Sequence, residues 1–329
     1  MDLGGEDLLI RRLRRRLEAQ GNRLLGDDAA FVPAQGAWAI SVDQQIAGIH
    51  FPPGLDPAVL GRRVLAVALS DLAAVGAEPL YAFLALAFPA AFDAQRLLDG
   101  LLGACRRYGV QLAGGDLARS PHPTAALTVV GRRPRRGHWL RRDLARSGDS
   151  LWSGGRLGLS GLGRLLIEKG ASLKGRRVEL PHRLGLPPQL GPTARRAVRC
   201  HLAPTPQLEL GRWLALRRRA AAIDVSDGLA LDLHRLCRAS DVGALLERRS
   251  LPASPAERKL AERLGVDFRQ LVLSGGEDYA LLFTLAASSR PPKRFGCRLI
   301  GRITAAQKVL LVGSRGQRPL PAAGWDHLR

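Results

Sequence analysis

The stretch AAIDVSDGLALDLHRL, residues 221–236, places an apolar run directly before two aspartates and a helix-like pattern. The apolar run predicts a strand that ends near Ser226, and the pattern from Asp227 onward predicts a helix. A strand that leads at once into a helix is typical of an α/β fold. Asp224 and Asp227 therefore flank a strand-to-helix turn, in a chain whose formal net charge is +21.

The composition outside this stretch indicates a globular protein. The chain has 329 residues, 46% of them hydrophobic, and its length suggests about two domains with a sizeable core. No run reaches the roughly 18 to 20 apolar residues of a membrane span. Residues 1–20 lack the apolar core of a signal peptide and predict an amphipathic helix with Leu9, Leu13 and Leu17 on one side. We therefore expect a cytoplasmic protein.

The cysteines do not form a recognisable site. The chain has four of them, far apart and without the paired spacing or neighbouring histidine of a zinc site. We predict reduced, mostly buried thiols at these positions. They are Cys105, Cys200, Cys237 and Cys297.

The strong basic charge raises the possibility of a nucleic-acid surface. Arginine runs such as RRLRRR (11–16) and GRRPRRGHWLRR (131–142) are able to track phosphates. No zinc finger, RNP-type strand or KH loop accompanies them, and nearly all the excess is arginine. Solvated arginine faces are the favoured interpretation, and a non-catalytic nucleic-acid-binding protein stays an alternative.

Hydrophobic periodicity divides the chain into two α/β segments. The first has a helix near 5–18, strands near 37–42, 80–88, 110–113 and 124–131, and helices near 57–75 and 92–108. The second has strands at 151–155, 220–226 and 297–304, helices at 159–170 and 227–240, loops around a short helix at 171–206, and a glycine-interrupted strand at 271–285. An Arg/Pro/Gly-rich segment, 132–148, separates them. We predict domains at 1–135 and 146–329.

Six acidic stretches share one layout, with carboxylates at a strand end or turn beside apolar residues. Each alone fits a helix N-cap or a turn. Together they suggest a bound cation, because an unpaired carboxylate is costly to desolvate. Arginine is one candidate partner; rigidly held aspartates also suit Mg²⁺, which often retains substrate phosphates as ligands. The stretches are LLGDDAAFV (24–32), AISVDQQIAGIHF (39–51), AVALSDLAAVGAEP (66–79), LAGGDLARSP (112–121), AAIDVSDGLALDL (221–233) and LSGGEDYALLF (273–283).

The acidic stretches therefore suggest phosphate chemistry on magnesium. The P-loop pattern G-x-x-x-x-G-K-[ST] and the protein-kinase signatures are missing from the sequence. Gly114 and Gly115 would let backbone amides approach an anion.

In order and nearly end to end, the motifs GDDAA, SVDxxxxGxHF, LSDLAAxGAxP, GGDxxRSP, IDxSDGLxxDL, SGGEDYxLLFT and GWDH resemble thiamine-monophosphate kinases. That family is part of the aminoimidazole ribonucleotide synthetase-like superfamily of ATP-dependent enzymes. The resemblance implies an α/β (α+β) two-domain fold, with an N-terminal domain that binds ATP and magnesium and a C-terminal domain that completes the substrate site. It also implies a homodimer formed through the N-terminal sheet.

The resemblance assigns three groups of site residues. Several Mg²⁺ ions would be held by Asp28, Ser41, the backbone of Val42, Asp43, Asp71, Asp116, Asp224 and Asp227. ATP would lie near Gly115, Asp116, Arg142 and Ser226. Thiamine monophosphate would contact His50, Glu277 and Trp325. Three alternatives remain open for single residues: a solvated linker arginine at 142, a structural histidine at 50 and a core-filling tryptophan at 325.

The implied reaction is direct in-line transfer of the γ-phosphoryl group of ATP, with no dedicated catalytic base. The chain departs from the family pattern at Gln44, Ala68, Leu117 and Ala118, which puts fine positioning and turnover in question. Another ATP-dependent enzyme of the superfamily stays an alternative.

Overall fold

The computed structural model describes residues 15, 18, 30–34, 36–217 and 219–326. The helix predicted near 5–18 lies outside these residues, apart from Arg15 and Glu18, which are helical. Asp28 also lies outside them. Among the described residues, no helix is both long enough and apolar enough to cross a bilayer.

The first half of the described chain is a five-stranded sheet covered by two helices. The strand order is β1-β2-β5-β3-β4. The strands are β1 Ala30–Ala34, β2 Gly36–Ile46, β3 Glu78–Phe88, β4 Gln111–Arg119 and β5 Thr124–Arg132. The helices are α1 Pro57–Ala74 and α2 Ala94–Tyr108. Burial alternates along β3 and β5, so one face of the sheet packs on α1 and the other face is exposed.

Two glycines let α1 and α2 cross closely. A Cβ on Gly61 would lie 2.1 Å from the carbonyl oxygen of Leu97, and a Cβ on Gly100 would lie 2.1 Å from that of Ala58. Any larger residue would force the helices apart. This contact keeps α1 in place beneath the sheet.

The second half is built on a seven-stranded sheet. Its strand order is β14-β13-β10-β12-β6-β11-β9. The strands are β6 Ser150–Gly154, β9 Ala222–Val225, β10 Gly243–Glu247, β11 Ala280–Leu285, β12 Arg298–Thr304, β13 Val309–Gly313 and β14 Gly316–Pro319. The helices are α3 Leu159–Glu168, α4 Gly191–Leu202, α5 Leu208–Ala215, α6 Leu229–Ala239, α7 Pro255–Arg263 and α8 Phe268–Ser274. A hairpin of β7 Ser172–Lys174 and β8 Arg177–Glu179 precedes α4.

Helix α1 joins the halves. It packs on β2 and β5 of the first sheet and also contacts β9, α4 and α5 of the second half. The buried apolar side chains form one continuous cluster across both halves. The first sheet ends at Arg132 and the second begins at Ser150. The division into domains 1–135 and 146–329 stays a prediction, because the two sheets share this core.

The mixed α/β class predicted from the periodicity is confirmed, and three local predictions were wrong. Gly114, Gly115 and Asp116 lie inside β4 rather than in a turn, because β4 pairs with β3 from Gln111 to Arg119. Residues 271–274 end helix α8, whose N-cap Asp267 accepts a hydrogen bond from the amide of Arg269. The segment 171–206 contains the β7–β8 hairpin as well as α4.

Candidate active site

The last turns of α1 link the two sheets through adjacent polar residues. The hydroxyl of Ser41 on β2 donates to a carboxylate oxygen of Asp71. One residue earlier on the helix, the hydroxyl of Ser70 donates to Asp224 Oδ2 on β9 over 2.8 Å. Asp71 and Asp224 come from sequence positions 153 residues apart, yet one turn of α1 brings them to the same junction.

Strand β2 adds Asp43 to this junction. Side chains alternate along a strand, so Ser41, Asp43 and Gln45 share the face that packs on α1, and Val42 points to the exposed face. Burial raises the pKa of the Asp43 carboxyl to about 6, while the amide of Gln45 and the charge of Arg63 partly oppose the rise. The Gln45 amide donates to Asp43 Oδ1 over 3.3 Å. A desolvated carboxylate whose neighbours only partly replace its lost water is suited to binding a cation.

Arg63 on α1 holds the predicted substrate residues together. Its side chain is completely buried. Its guanidinium donates to Gln45 Oε1 over 2.9 Å and to the carbonyl of His50 over 3.0 Å. It also donates to the carbonyl of His201 and to a carboxylate oxygen of Glu277. Every arm of this guanidinium therefore connects elements that are distant in sequence.

His50 and His201 lie on either side of this arginine. The Nδ1 atom of His50 accepts a hydrogen bond from the amide of Ile46 over 3.1 Å, which places the ring proton of a neutral imidazole on Nε2. Burial lowers the pKa of His201 to about 4, so its 3.3 Å contact with Glu277 Oε2 is not an ion pair at neutral pH. The same Nδ1 atom shares a hydrogen bond of 3.0 Å with the hydroxyl of Ser160. His50 thus has a structural backbone contact whatever its role toward a substrate.

The segment that carries Glu277 has an unusual backbone. Glu277 and Tyr279 have positive φ angles of 54° and 47°. Their amides donate to the carbonyls of Ser226 over 2.5 Å and Val225 over 2.9 Å. Left-handed non-glycine residues cost about 1 to 3 kcal/mol each and persist only where the surroundings hold them. Here the end of β9 holds them. They lie next to Asp43, Asp71 and Asp224, a group that we call the acidic junction.

Asp278, between these two residues, points away from the junction. Its carboxylate accepts hydrogen bonds from the amides of Gly158 over 2.6 Å and Ser160 over 3.2 Å at the start of α3. Burial raises its pKa to about 8. Asp278 is therefore a long-range N-cap for α3, which has no local side-chain cap.

We expect Asp278→Ala to lower the free energy of unfolding by about 1 to 2 kcal/mol, because it removes the cap. Asp278→Asn, which keeps one acceptor oxygen, should lose less. The raised pKa stabilises the protein most below the ordinary aspartate pKa, and this contribution is lost as pH rises through about 8. Urea unfolding should therefore show that the free energy of unfolding of Asp278→Asn, relative to that of the parent protein, is higher at pH 9 than at pH 6. Equal stability of all three proteins would contradict the cap.

Trp325 reaches the same junction from the C-terminal segment. Its amide donates to the carbonyl of Asp227 over 2.9 Å. Its side chain is 52% exposed, so the core-filling alternative is wrong. The turn from Asp224 to Asp227 therefore contacts Ser70, Glu277 and Trp325 at once.

Asp227 itself has an arginine partner. Arg235 Nη1 lies 2.5 Å from Asp227 Oδ2 and 2.9 Å from Asp232 Oδ1. Asp232 Oδ2 in turn accepts from the amides of Asp227 and Gly228, each over 3.2 Å. Burial and the charge of Asp227 raise the pKa of Asp232 to about 7, while Arg235 and Arg142 oppose the rise. Arg142 is thus near enough to this turn to act on Asp232 electrostatically, and its assignment to ATP stays a prediction.

Gly115 and Asp116 lie apart from this group. The register places Gly115 beside Leu84 on the packed face of the sheet, where a Cβ would lie 2.0 Å from the Leu84 carbonyl oxygen. Asp116 pairs with Ala85, so its side chain shares the exposed face with Phe83 and Gly114. The described structure therefore places Asp43, Asp71 and Asp224 where β2, the end of α1 and β9 adjoin, near the predicted substrate residues, and it leaves Asp116 on the other side of the sheet.

The acidic junction fits a magnesium site that is completed by a substrate. Within the described part of the chain, no three His, Cys, Asp or Glu side chains converge into a preformed metal cage. Mg²⁺ usually takes only one or two carboxylates and fills its remaining positions with water and phosphate oxygens. Asp43, with its desolvated carboxyl, and Asp71 and Asp224, each beside a serine hydroxyl, would be the candidates for such ligands.

Sequence reasoning missed the arginines and the buried acid of this site. Arg63 and Arg235 neutralise Glu277 and Asp227, and Asp232 caps the β9–α6 turn. A signal was present for Arg63, which precedes Ser70 by seven residues on one helix and therefore shares its face. Its acceptors come from four different segments, and no local pattern connects them.

Comparisons with known proteins agree with this architecture. The AIR synthase related protein, N-terminal domain, matches residues 26–133. Thiamine-monophosphate kinase of Escherichia coli strain K12 is 36% identical over 271 residues, covering 81% of this chain and 77% of that protein. The protein of the same name from Synechococcus elongatus is 38% identical over 274 residues, covering 79% and 76%. A structure of AaThiL complexed with AMPPCP and TMP superposes with a TM-score of 0.83 at 28% identity, covering 98% of this chain and 97% of that one.

The fold and the acidic junction thus define a protein of the AIR synthase related class. The thiamine-monophosphate kinases of Escherichia coli and Synechococcus elongatus match about four fifths of the chain at more than 30% identity. The chain belongs to the thiamine-monophosphate kinase family.

Proposed function

We propose that this protein transfers the γ-phosphoryl group of ATP to thiamine monophosphate, giving thiamine diphosphate and ADP. The observation that carries the proposal is the β9–α6 turn. Its backbone holds Glu277 and Trp325, and its Asp224 side chain is tied to α1 beside Asp71 and Asp43. Predicted substrate residues and predicted metal ligands therefore meet at one turn. The AaThiL structure with AMPPCP and TMP supports this pair of substrates.

The chemistry requires positioning rather than a catalytic base. The second pKa of a phosphate monoester is about 6, so the attacking oxygen of thiamine monophosphate is already largely ionised at neutral pH. Two polyanions must be held in line against their mutual repulsion. Mg²⁺, when bound, would supply the neutralising charge. Asp43, Asp71 and Asp224 would hold it, with Ser41 and Ser70 orienting two of the carboxylates.

The residues proposed to recognise the substrate are those that contact Arg63 or the β9–α6 turn. Glu277 and His50 would face the thiamine moiety, and the exposed indole of Trp325 would cover it. Ser226 and Arg142 belong to the proposed ATP side of the turn. The proposal also keeps the other residues predicted for ATP and metal, which are Gly115, Asp116, Asp28 and the backbone of Val42. It includes several metal ions and a cytoplasmic location.

A homodimer would complete the first sheet. Its uncovered face carries large exposed apolar side chains on two strands, Val42 on β2 and Tyr81 and Phe83 on β3. An apolar sheet face of this kind suits a second copy of the same chain. Light scattering at micromolar concentration should give the mass of a dimer, and Phe83→Glu should shift it toward monomer. A monomer in the parent protein would contradict this part of the proposal.

The direct test is incubation of the protein with ATP, Mg²⁺ and thiamine monophosphate, with thiamine diphosphate and ADP quantified together. We expect equal amounts of both products and little ADP without thiamine monophosphate. Absence of turnover, together with steeply salt-dependent binding of RNA or DNA, would instead favour the non-catalytic alternative.

We expect Trp325→Ala to weaken thiamine monophosphate binding about two- to thirtyfold, because an indole contact with a ring or cation is worth roughly 0.5 to 2 kcal/mol. ATP binding should be nearly unchanged, since the nucleotide is assigned to other residues. The melting temperature should also be unchanged, because the side chain is exposed. Both affinities are measured by calorimetry. Equal losses for the two ligands would remove Trp325 from the substrate site.

A further inference from the structure

A large cavity in the described structure lies away from the acidic junction. It has a volume of about 1320 Å³ and opens between α1 and α2 of the first half and the segment after β6, α4 and the β7–β8 hairpin of the second. None of the residues predicted to bind metal, ATP or thiamine monophosphate lines it. Its size exceeds the roughly 300 to 1,000 Å³ of ordinary small-molecule sites, so it has room for a ligand and water.

The cavity wall is strongly basic. Among the described residues, the arginines that line it are Arg62, Arg107, Arg156, Arg176, Arg196, Arg199 and Arg298. None of these forms an ion pair with a carboxylate of the described chain. The acids in the wall are engaged elsewhere: Asp99 accepts from Gln95, Glu257 from the amide of Ser254, and Asp278 from the start of α3. With seven arginines against three acids among the lining residues, the wall carries a net positive charge.

Backbone contacts hold part of this charge in place. Arg62 Nη2 donates to the carbonyl of Gly175 over 2.7 Å, and Arg199 Nη2 donates to that of Arg176 over 3.2 Å. These bonds tie the tip of the β7–β8 hairpin to α1 and α4. Burial lowers the pKa of Arg62, and the neighbouring charges of Arg176 and Arg96 lower it further against the opposing effect of Asp56. Like charges are thus held close together at this end of the cavity.

We propose that this cavity is a second binding site, separate from the active site, for a small phosphate-bearing anion with at least two charged phosphate groups. Guanidinium groups match phosphate oxygens in paired hydrogen bonds, and several of them around one cavity favour a multivalent anion over a single phosphate. Arg156 and Arg196 face the ligand from two elements, the segment after β6 and helix α4. The proposal does not depend on the kinase activity, because it uses none of the residues assigned to that reaction.

The test uses inorganic pyrophosphate as the probe, in EDTA and at low ionic strength, with binding followed by calorimetry. Without divalent metal the acidic junction repels the probe, so binding reports on the cavity. We expect saturable binding to one site per chain, and the double variant Arg156→Ala/Arg196→Ala should weaken it by about tenfold or more. Turnover of ATP and thiamine monophosphate without the probe should be unchanged in this variant.

The matched control is Arg195→Ala, on the same helix as Arg196 but outside the cavity wall. It removes one positive charge, as Arg196→Ala alone does, and should leave pyrophosphate binding within about twofold. Equal weakening by the control and the double variant would mean non-specific attraction to a basic surface and would overturn the proposal. No saturable binding to the parent protein would overturn it as well. If the double variant has a lowered melting temperature, the exposed Arg298→Ala variant provides the same comparison.

Discussion

Asp71→Asn is expected to lower the rate of thiamine diphosphate formation by about 10²- to 10³-fold, since loss of the metal ligand proposed at this position would remove several kcal/mol of transition-state stabilisation. The asparagine keeps an oxygen that accepts the hydrogen bond from Ser41, so the contact between α1 and β2 survives. It also removes one negative charge from a junction that contains Asp43 and Asp224. In metal-free protein the thermal transition should therefore stay unchanged or rise.

This result is read from three measurements: product formation at saturating magnesium, melting temperature in EDTA, and magnesium binding in the presence of an ATP analogue. Glu168→Gln is the matched control, because it removes a carboxylate from an exposed ion pair with Arg164 far from the junction. The control should keep its activity. If Asp71→Asn retained activity and lost stability, Asp71 would be a structural residue and the metal assignment would have to be abandoned.

Arg63→Met should cause the largest loss of stability, about 3 to 5 kcal/mol of the free energy of unfolding, which is the usual cost of removing one partner of a buried ion pair. The methionine fills much of the volume but donates no hydrogen bond. Glu277 then loses its counter-charge, and Gln45 and the carbonyls of His50 and His201 lose their shared donor. In protein that remains folded, the affinity for thiamine monophosphate should fall more, relative to the parent protein, than the affinity for ATP. The reason is that the predicted substrate residues His50 and Glu277 have lost their shared hydrogen-bond donor.

Arg62→Met provides the comparison within the same helix. Arg62 is only half buried and makes one hydrogen bond, to the carbonyl of Gly175, so its loss should cost about 1 kcal/mol. The double variant Arg63→Met/Glu277→Gln should regain part of the stability lost by Arg63→Met, since it removes the uncompensated charge. Denaturant unfolding of the four proteins measures both effects. A loss for Arg63→Met no greater than that for Arg62→Met would contradict the central role of this arginine.

The predicted and observed architectures differ where tertiary contacts override local patterns. The periodicity correctly predicts α1, α2, β9 and α6, whose apolar spacing is regular. It misassigns Gly114–Asp116, because glycines usually indicate a turn, whereas here the edge strand β4 continues along β3. It also misses β10, β13 and β14, short strands that only pairing within the second sheet stabilises.

The sequence by itself determined the mixed α/β class, the order of most elements and the family, because these depend on local apolar spacing and on motifs of adjacent residues. Only the tertiary structure decided which acids meet. The alternation of side chains along a strand puts Asp43 on the packed face and Asp116 on the exposed face, and a shift of one residue in register would reverse either placement. Likewise, Arg63 lies 214 positions from Glu277, and no pattern in the chain shows that helix α1 carries the donor that this carboxylate requires. Such a pairing follows from burial, since a charged group removed from water must find its partner wherever the fold brings one.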